Sequence, residues 1–188
     1  MFSRRIALIT GKGGVGRTTV AAAWAVAAAR AGKRVLVAEI AKPGEGKSSL
    51  GRLLSTEHLD ADPQQVRANL WACQLWAARG HEMFLGTVLP SVLGRAALRS
   101  KAIRKFVDAV PSFYEMGLFY HLLTLLRARH HDGTYTYETV IVDMPATGHT
   151  LALTELPDVI LRLVAKGPVA RLLREGQSYL NDPEQTAA

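Results

Sequence analysis

The amino-acid sequence predicts an α/β fold with a mostly parallel, doubly wound sheet, on three observations. An unbroken apolar run, Ile6 to Ile9, leads through a glycine-rich loop into an alanine-rich stretch; a second apolar run spans Val35 to Ala38; a third, Thr139 to Val142, ends in Asp143. Strands covered on both faces need apolar runs without alternation, and strand, crossover helix and strand make a right-handed parallel unit.

The loop is Gly11-Lys12-Gly13-Gly14-Val15-Gly16-Arg17-Thr18-Thr19. Glycines let a backbone turn sharply and aim successive N–H groups at one anion, and a helix that follows adds the positive end of its dipole. The stretch therefore reads as a phosphate cradle, close to the phosphate-loop pattern G-x-x-x-x-G-K-[ST] but with Arg17 where the lysine belongs. A ligand-free glycine turn is the alternative, and such turns seldom need four glycines.

Helix formation is expected from Thr18 or Thr19 to Ala31, since alanine has the best propensity and lets a helix pack close to a sheet; Gly32 stops it. After the second strand, Ala41 to Ser48 satisfies a relaxed phosphate-loop pattern, but Gly51 weakens the helix behind it, so a loop facing the nucleotide is expected instead. Asn69 to Trp76 reads as a strand with Cys73 in the core. From Glu82 to Arg129 apolar residues recur at helical spacing, broken at Pro90 and Pro111, which predicts a helical insertion over 82–129. The basic residues Arg95, Arg99, Lys101, Arg104 and Lys105 read as a solvated helix face, because no aromatic residues interleave them. His130 and His131 read as loop residues.

With 188 residues and 48% apolar composition the chain can build one sizeable core, so residues 1–188 are read as a single domain. A net charge of +7 without long single-sign runs does not by itself call for nucleic acid, which is not expected as a partner. One cysteine, Cys73, excludes an internal disulfide, and without C-x-x-C there is no thiolate zinc site. The run before the glycine loop is too short for a signal peptide, and no stretch reaches the roughly 20 apolar residues of a membrane span. A cytoplasmic setting is the expectation.

Val140-Ile141-Val142-Asp143 is the Walker B pattern: a buried strand that brings a carboxylate to the sheet's carboxyl edge, where it can hold a water of an Mg²⁺ shell. Met144-Pro145-Ala146-Thr147-Gly148-His149-Thr150 follows it. The early lysine, Lys12, makes the glycine loop resemble the deviant Walker A pattern K-G-G-x-x-G-K-[ST]. Together with D-x-P-x-T-G-H-T after the third apolar run, it makes the chain resemble the arsenite-pump and tail-anchored-protein-targeting ATPase family of P-loop NTPases, in particular the amino-terminal part of bacterial members.

That resemblance implies an ATP-binding ATPase that uses ATP and Mg²⁺. Gly11 to Thr19 would hold the nucleotide, and Thr18, with Asp143 acting through water, would hold the metal. Lys12, Arg17 and Asp143 are the candidate catalytic residues, with Lys12 reaching a partner's nucleotide across a homodimer or a heterodimer with a homologous ATPase chain. Pro145, Thr147, Gly148 and His149 would form a switch that relays the terminal phosphate to an unidentified protein client. Two departures stand out: Arg17, and Ala41 in place of the aspartate expected just after strand two to orient the attacking water. Glu39 and Glu45 are the nearby carboxylates, with Glu39 turned away if strand alternation holds to Ala41. Family members also continue past Asp182-Pro183-Glu184-Gln185-Thr186, so a fragment, a split protein or a shortened paralogue is expected. A non-hydrolysing regulatory subunit and a ParA/MinD-like positioning ATPase stay open as alternatives, the second disfavoured by Gly148-His149-Thr150. Arsenite handling is not expected, since clustered thiolates are needed and one cysteine cannot supply them.

Overall fold

The structure, a computed structural model, describes residues 4–40, 48–56, 58–88, 113–145, 158, 161, 166 and 168–187. Among these residues, β1 (Ile6–Ile9), β2 (Val35–Ile40), β3 (Gln64–Arg67), β4 (Leu70–Leu75), β5 (Thr139–Asp143) and β6 (Thr186–Ala187) form one sheet in the order β3-β4-β2-β5-β1-β6. All neighbours pair parallel except β3 with β4. The fold is α/β, with the mostly parallel sheet that the apolar runs require.

Helices cover both faces. On one lies α1 (Arg17–Arg30), whose Ala21, Ala22, Ala25, Ala28 and Ala29 are buried against the sheet, together with the short α2 (Ser49–Leu54). Alanine faces bring a helix close to the strands at little side-chain entropy cost. α1 ends where expected: Gly32 takes φ 87°, and its N–H bonds back to the Ala29 carbonyl at 3.0 Å. On the other face lie α3 (Ala77–Val88), α4 (Phe113–Arg127) and α5 (Pro168–Leu180). Leu118, Phe119, Leu122, Leu123 and Leu126 of α4 join Leu8, Leu36, Val140 and Val142 in one core, so this part of the 82–129 block covers one face of the sheet. Residues 89–112, with the basic cluster from Arg95 to Lys105, lie outside the described residues.

Sequence and structure differ at four places. Helix α1 starts at Arg17, one residue before the earliest predicted start, because glycine rather than a side chain ends the loop. Strand β2 runs two residues further than the apolar run and takes in Glu39. The strand expected at Asn69 to Trp76 is the second half of a hairpin, turned through Asn69 at φ 58°. Its partner β3, Gln-Gln-Val-Arg, is a polar edge strand that carries almost no apolar signal. Gly51, expected to weaken the helix behind it, sits buried inside the six-residue α2: a Cβ there would lie 3.0 Å from Ser48 Oγ and 3.2 Å from the Thr56 carbonyl oxygen, so the glycine is needed for the close approach.

Candidate functional site

The glycine loop leaves β1 at its carboxyl end and delivers the chain into α1. Gly14 and Gly16 hold φ 82° and 86°, the left-handed region that side chains other than glycine's rarely adopt, although a Cβ at either would meet nothing within 4 Å. The requirement is conformational rather than steric. Gly16 is the N-cap of α1 and supplies no side-chain cap, and the first turn carries no acidic residue. The first-turn N–H groups and the positive end of the dipole are thus left for an external anion.

Parallel register sets Asp143 beside Ile9 on one side and Glu39 on the other. The Thr18 hydroxyl donates to Asp143 Oδ2 at 2.6 Å, so two predicted site residues from opposite ends of the chain meet at the sheet's carboxyl edge. Next to them the Arg17 guanidinium donates to the Met144 carbonyl, its stem passing over Gly11. Met144 is itself buried and tied by its N–H to the Ile9 carbonyl at 3.0 Å. Lys12 is exposed, with no hydrogen bond or ion pair among the described residues. Pro145 is half-buried; Thr147, Gly148 and His149, like Ala41 and Glu45, lie outside the described residues.

An open cavity of about 490 Å³ adjoins this corner, walled on one side by Gly14, Gly16, Arg17, Thr18 and Thr19 and on the other by Ser49, Arg52 and Leu53 of α2. The α2 wall was not predicted from sequence. It is held by Ser48, whose Oγ accepts the Gly51 N–H at 2.6 Å, and by Glu39, whose Oε2 accepts the Leu50 N–H at 2.9 Å. Gln74 donates to Glu39 Oε1 at 2.8 Å. Glu39 is therefore not turned away from the site: it lies on the face of Asp143, buried, with both oxygens committed to α2 and β4. The Ser48-x-x-Gly51 spacing is the sequence signal that could have revealed the cap.

These residues fit a phosphate chain with a divalent cation. The loop supplies backbone donors, and Lys12 and Arg17 bring positive charge, while Thr18 and Asp143 offer hard oxygen ligands side by side. No group of three His, Cys, Asp or Glu side chains gathers among the described residues. A cation here would thus take one or two protein oxygens and draw the rest from phosphate and water, as Mg²⁺ does in such sites.

The family model described as anion-transporting ATPase matches residues 4–175. The chain belongs to this family. Among relatives, it is 27% identical to the ATPase BagA of Mycobacterium tuberculosis over 97% of this chain and 54% of BagA. It is also 27% identical to an arsenical pump-driving ATPase of Escherichia coli, over 94% of this chain and 32% of that protein. This family member spans about half the length of BagA. No helix among its described residues is long and apolar enough to cross a membrane.

Proposed function

We propose that this chain binds Mg-ATP at Gly11 to Thr19 and acts as the nucleotide-binding module of an ATPase. The observation that carries the reading is the uncapped, acid-free first turn of α1 set beside the Thr18 and Asp143 pair. Backbone N–H groups of the loop orient the phosphates, and Thr18 and Asp143 hold the cation, Asp143 through water. Bound Mg²⁺ supplies charge neutralisation to the phosphoryl group. Lys12, exposed and uncommitted among the described residues, would reach the nucleotide of a second copy or of a homologous chain. Pro145, Thr147, Gly148 and His149 are the segment that would report nucleotide state to a client, and residues 1–188 would act as one domain.

A second reading, a weakly hydrolysing regulatory subunit, is favoured by Arg17. Its guanidinium is engaged by the Met144 carbonyl, and a broad planar head follows a departing phosphoryl group less well than a lysine ammonium. With Ala41 in the position of the family's aspartate and Glu39 committed to α2, no carboxylate free to position water stands at the end of β2 among the described residues. Loss of such a group typically costs about 10² to 10⁴ in rate.

Two measurements test the proposal. Titration with a fluorescent ATP analogue and Mg²⁺ should saturate, and absence of saturation up to millimolar nucleotide would refute binding. Phosphate release compared among wild type, Arg17→Lys, Ala41→Asp and the double variant should be slow in the first and recover in the last. Family-like turnover by wild type, unchanged by either substitution, would rule out the regulatory reading.

A further inference from the structure

Resting on the nucleotide-binding reading, we propose that Arg52 of α2 is a phosphate-contacting residue, a second cation that engages the terminal phosphate of a nucleoside triphosphate held by the glycine loop. Arg52 lines the same cavity as Gly14, Gly16 and Thr18. Among the described residues its one polar contact is a long 3.4 Å approach to Ser49 Oγ within its own helix, and no carboxylate there pairs with it. Four other arginines are held by carboxylates, Arg4 by Glu184, Arg34 by Glu138, Arg79 by Asp62 and Arg127 by Glu175, and none of these four lines the cavity. An unpaired guanidinium facing an anion cradle is suited to bidentate recognition of phosphate.

The presentation of Arg52 is fixed. Leu50, Gly51 and Leu54 are buried, which turns Arg52 and Leu53 outward to the cavity. Glu39 and Ser48 clamp the start of α2, and the close approach of Gly51 to Ser48 and Thr56 prevents it from rolling. The other cavity-lining cation, Arg17, is engaged by the Met144 carbonyl, so α2 adds a second positive charge that no carbonyl or carboxylate among the described residues engages. α2 packs on the face of the sheet that carries Asp143. Thr18 and Asp143, which would hold the cation that accompanies the terminal phosphates, meet on that same face.

The test is calorimetric titration of wild type, Arg52→Gln, Arg52→Lys and Arg30→Gln with Mg-ATP and Mg-ADP, each variant being checked for native circular dichroism and melting temperature. Arg52→Gln should weaken ATP binding about tenfold or more, the range for a lost charge-assisted hydrogen bond, and weaken ADP binding less. Arg52→Lys should restore part of the ATP affinity, while Arg30→Gln, at the far end of α1, should leave both nucleotides unaffected. Wild-type ATP affinity in Arg52→Gln, or an equal loss in Arg30→Gln, would overturn the role of Arg52 and leave the nucleotide-binding reading standing. Absence of ATP binding by wild type would remove both.

Discussion

Thr18 and Asp143, 125 residues apart in sequence, share a 2.6 Å hydrogen bond where the first turn of α1 meets the end of β5. Hydroxyl and carboxylate are thereby pre-positioned as a pair, and under the proposed reading one would be a direct cation ligand and the other would act through a water. Removing an outer-shell partner typically costs about 10 to 100-fold in metal affinity. Asp143→Asn should weaken the Mg²⁺-dependent part of ATP binding by that order, Thr18→Val, which removes a direct ligand, by at least as much, and both should leave metal-free binding nearly unchanged. Nucleotide titrations at stepped Mg²⁺ concentrations check this, and identical Mg²⁺ dependence in all three proteins would refute the assignment.

Lys12 follows the first glycine of the loop, exposed and without a partner among the described residues. If its ammonium completes the site of a second chain, nucleotide should drive association and Lys12→Ala should abolish it. Sedimentation velocity with and without a non-hydrolysable ATP analogue reads both. A wild-type monomer under every condition would count against the shared site.

What the sequence reveals here, and what it hides, follows from the range of the interactions involved. The glycine spacing, the alanine face of α1, the stop at Gly32 and the run ending in Asp143 are local patterns, each tied to backbone geometry or to burial on both faces of a sheet. Long-range partners leave no such trace. Glu39 gains its role from Leu50 and Gln74, and Arg17 its placement from Met144, 127 residues away. Strand β6, two residues long, is added at the edge beside β1, where the Ile6 N–H bonds to the Gln185 carbonyl at 2.8 Å. No propensity marks so short a segment as a strand.

Helices α3 and α4 cross at Gly80 and Gly117, closely enough that a Cβ on Gly80 would overlap the Gly117 carbonyl. Two effects oppose each other in Gly80→Ala. Alanine gains about 1 kcal/mol of helix propensity, whereas overpacking against backbone, which cannot swing aside, costs about 1 to 3 kcal/mol or more. Packing should win and the variant should be destabilised. Gly86 lies in the same helix, and a methyl added there would meet nothing within 4 Å, so Gly86→Ala should stabilise by about 0.5 to 1 kcal/mol. Urea denaturation of both variants decides the matter, and shifts of the same sign would show that propensity, not the crossing, governs α3.

His121 on α4 is fully buried, and its Nδ1 accepts the Trp76 N–H at 3.1 Å where β4 passes into α3. Burial is the main cause that pushes the imidazole below its ordinary value of 6.5; the Arg79 charge acts the same way, and the Ala61 backbone and Asp62 oppose it. A proton on Nδ1 would also remove the acceptor that Trp76 uses. Between the lowered folded value and 6.5 the unfolded chain binds more protons than the folded one, so the stability contributed by neutral His121 is complete above 6.5. It is lost as pH falls through the folded value. The slope from this one group cannot exceed about 1.4 kcal/mol per pH unit. His121→Gln, which keeps an acceptor but cannot titrate, should be less stable than wild type near neutral pH and should lose less on acidification. Urea midpoints for both proteins at intervals from about pH 7.5 to 5, the range in which histidine titrates, provide the measurement. Parallel profiles would mean that His121 does not titrate in this range, and that the acid sensitivity of the fold lies in its carboxylates.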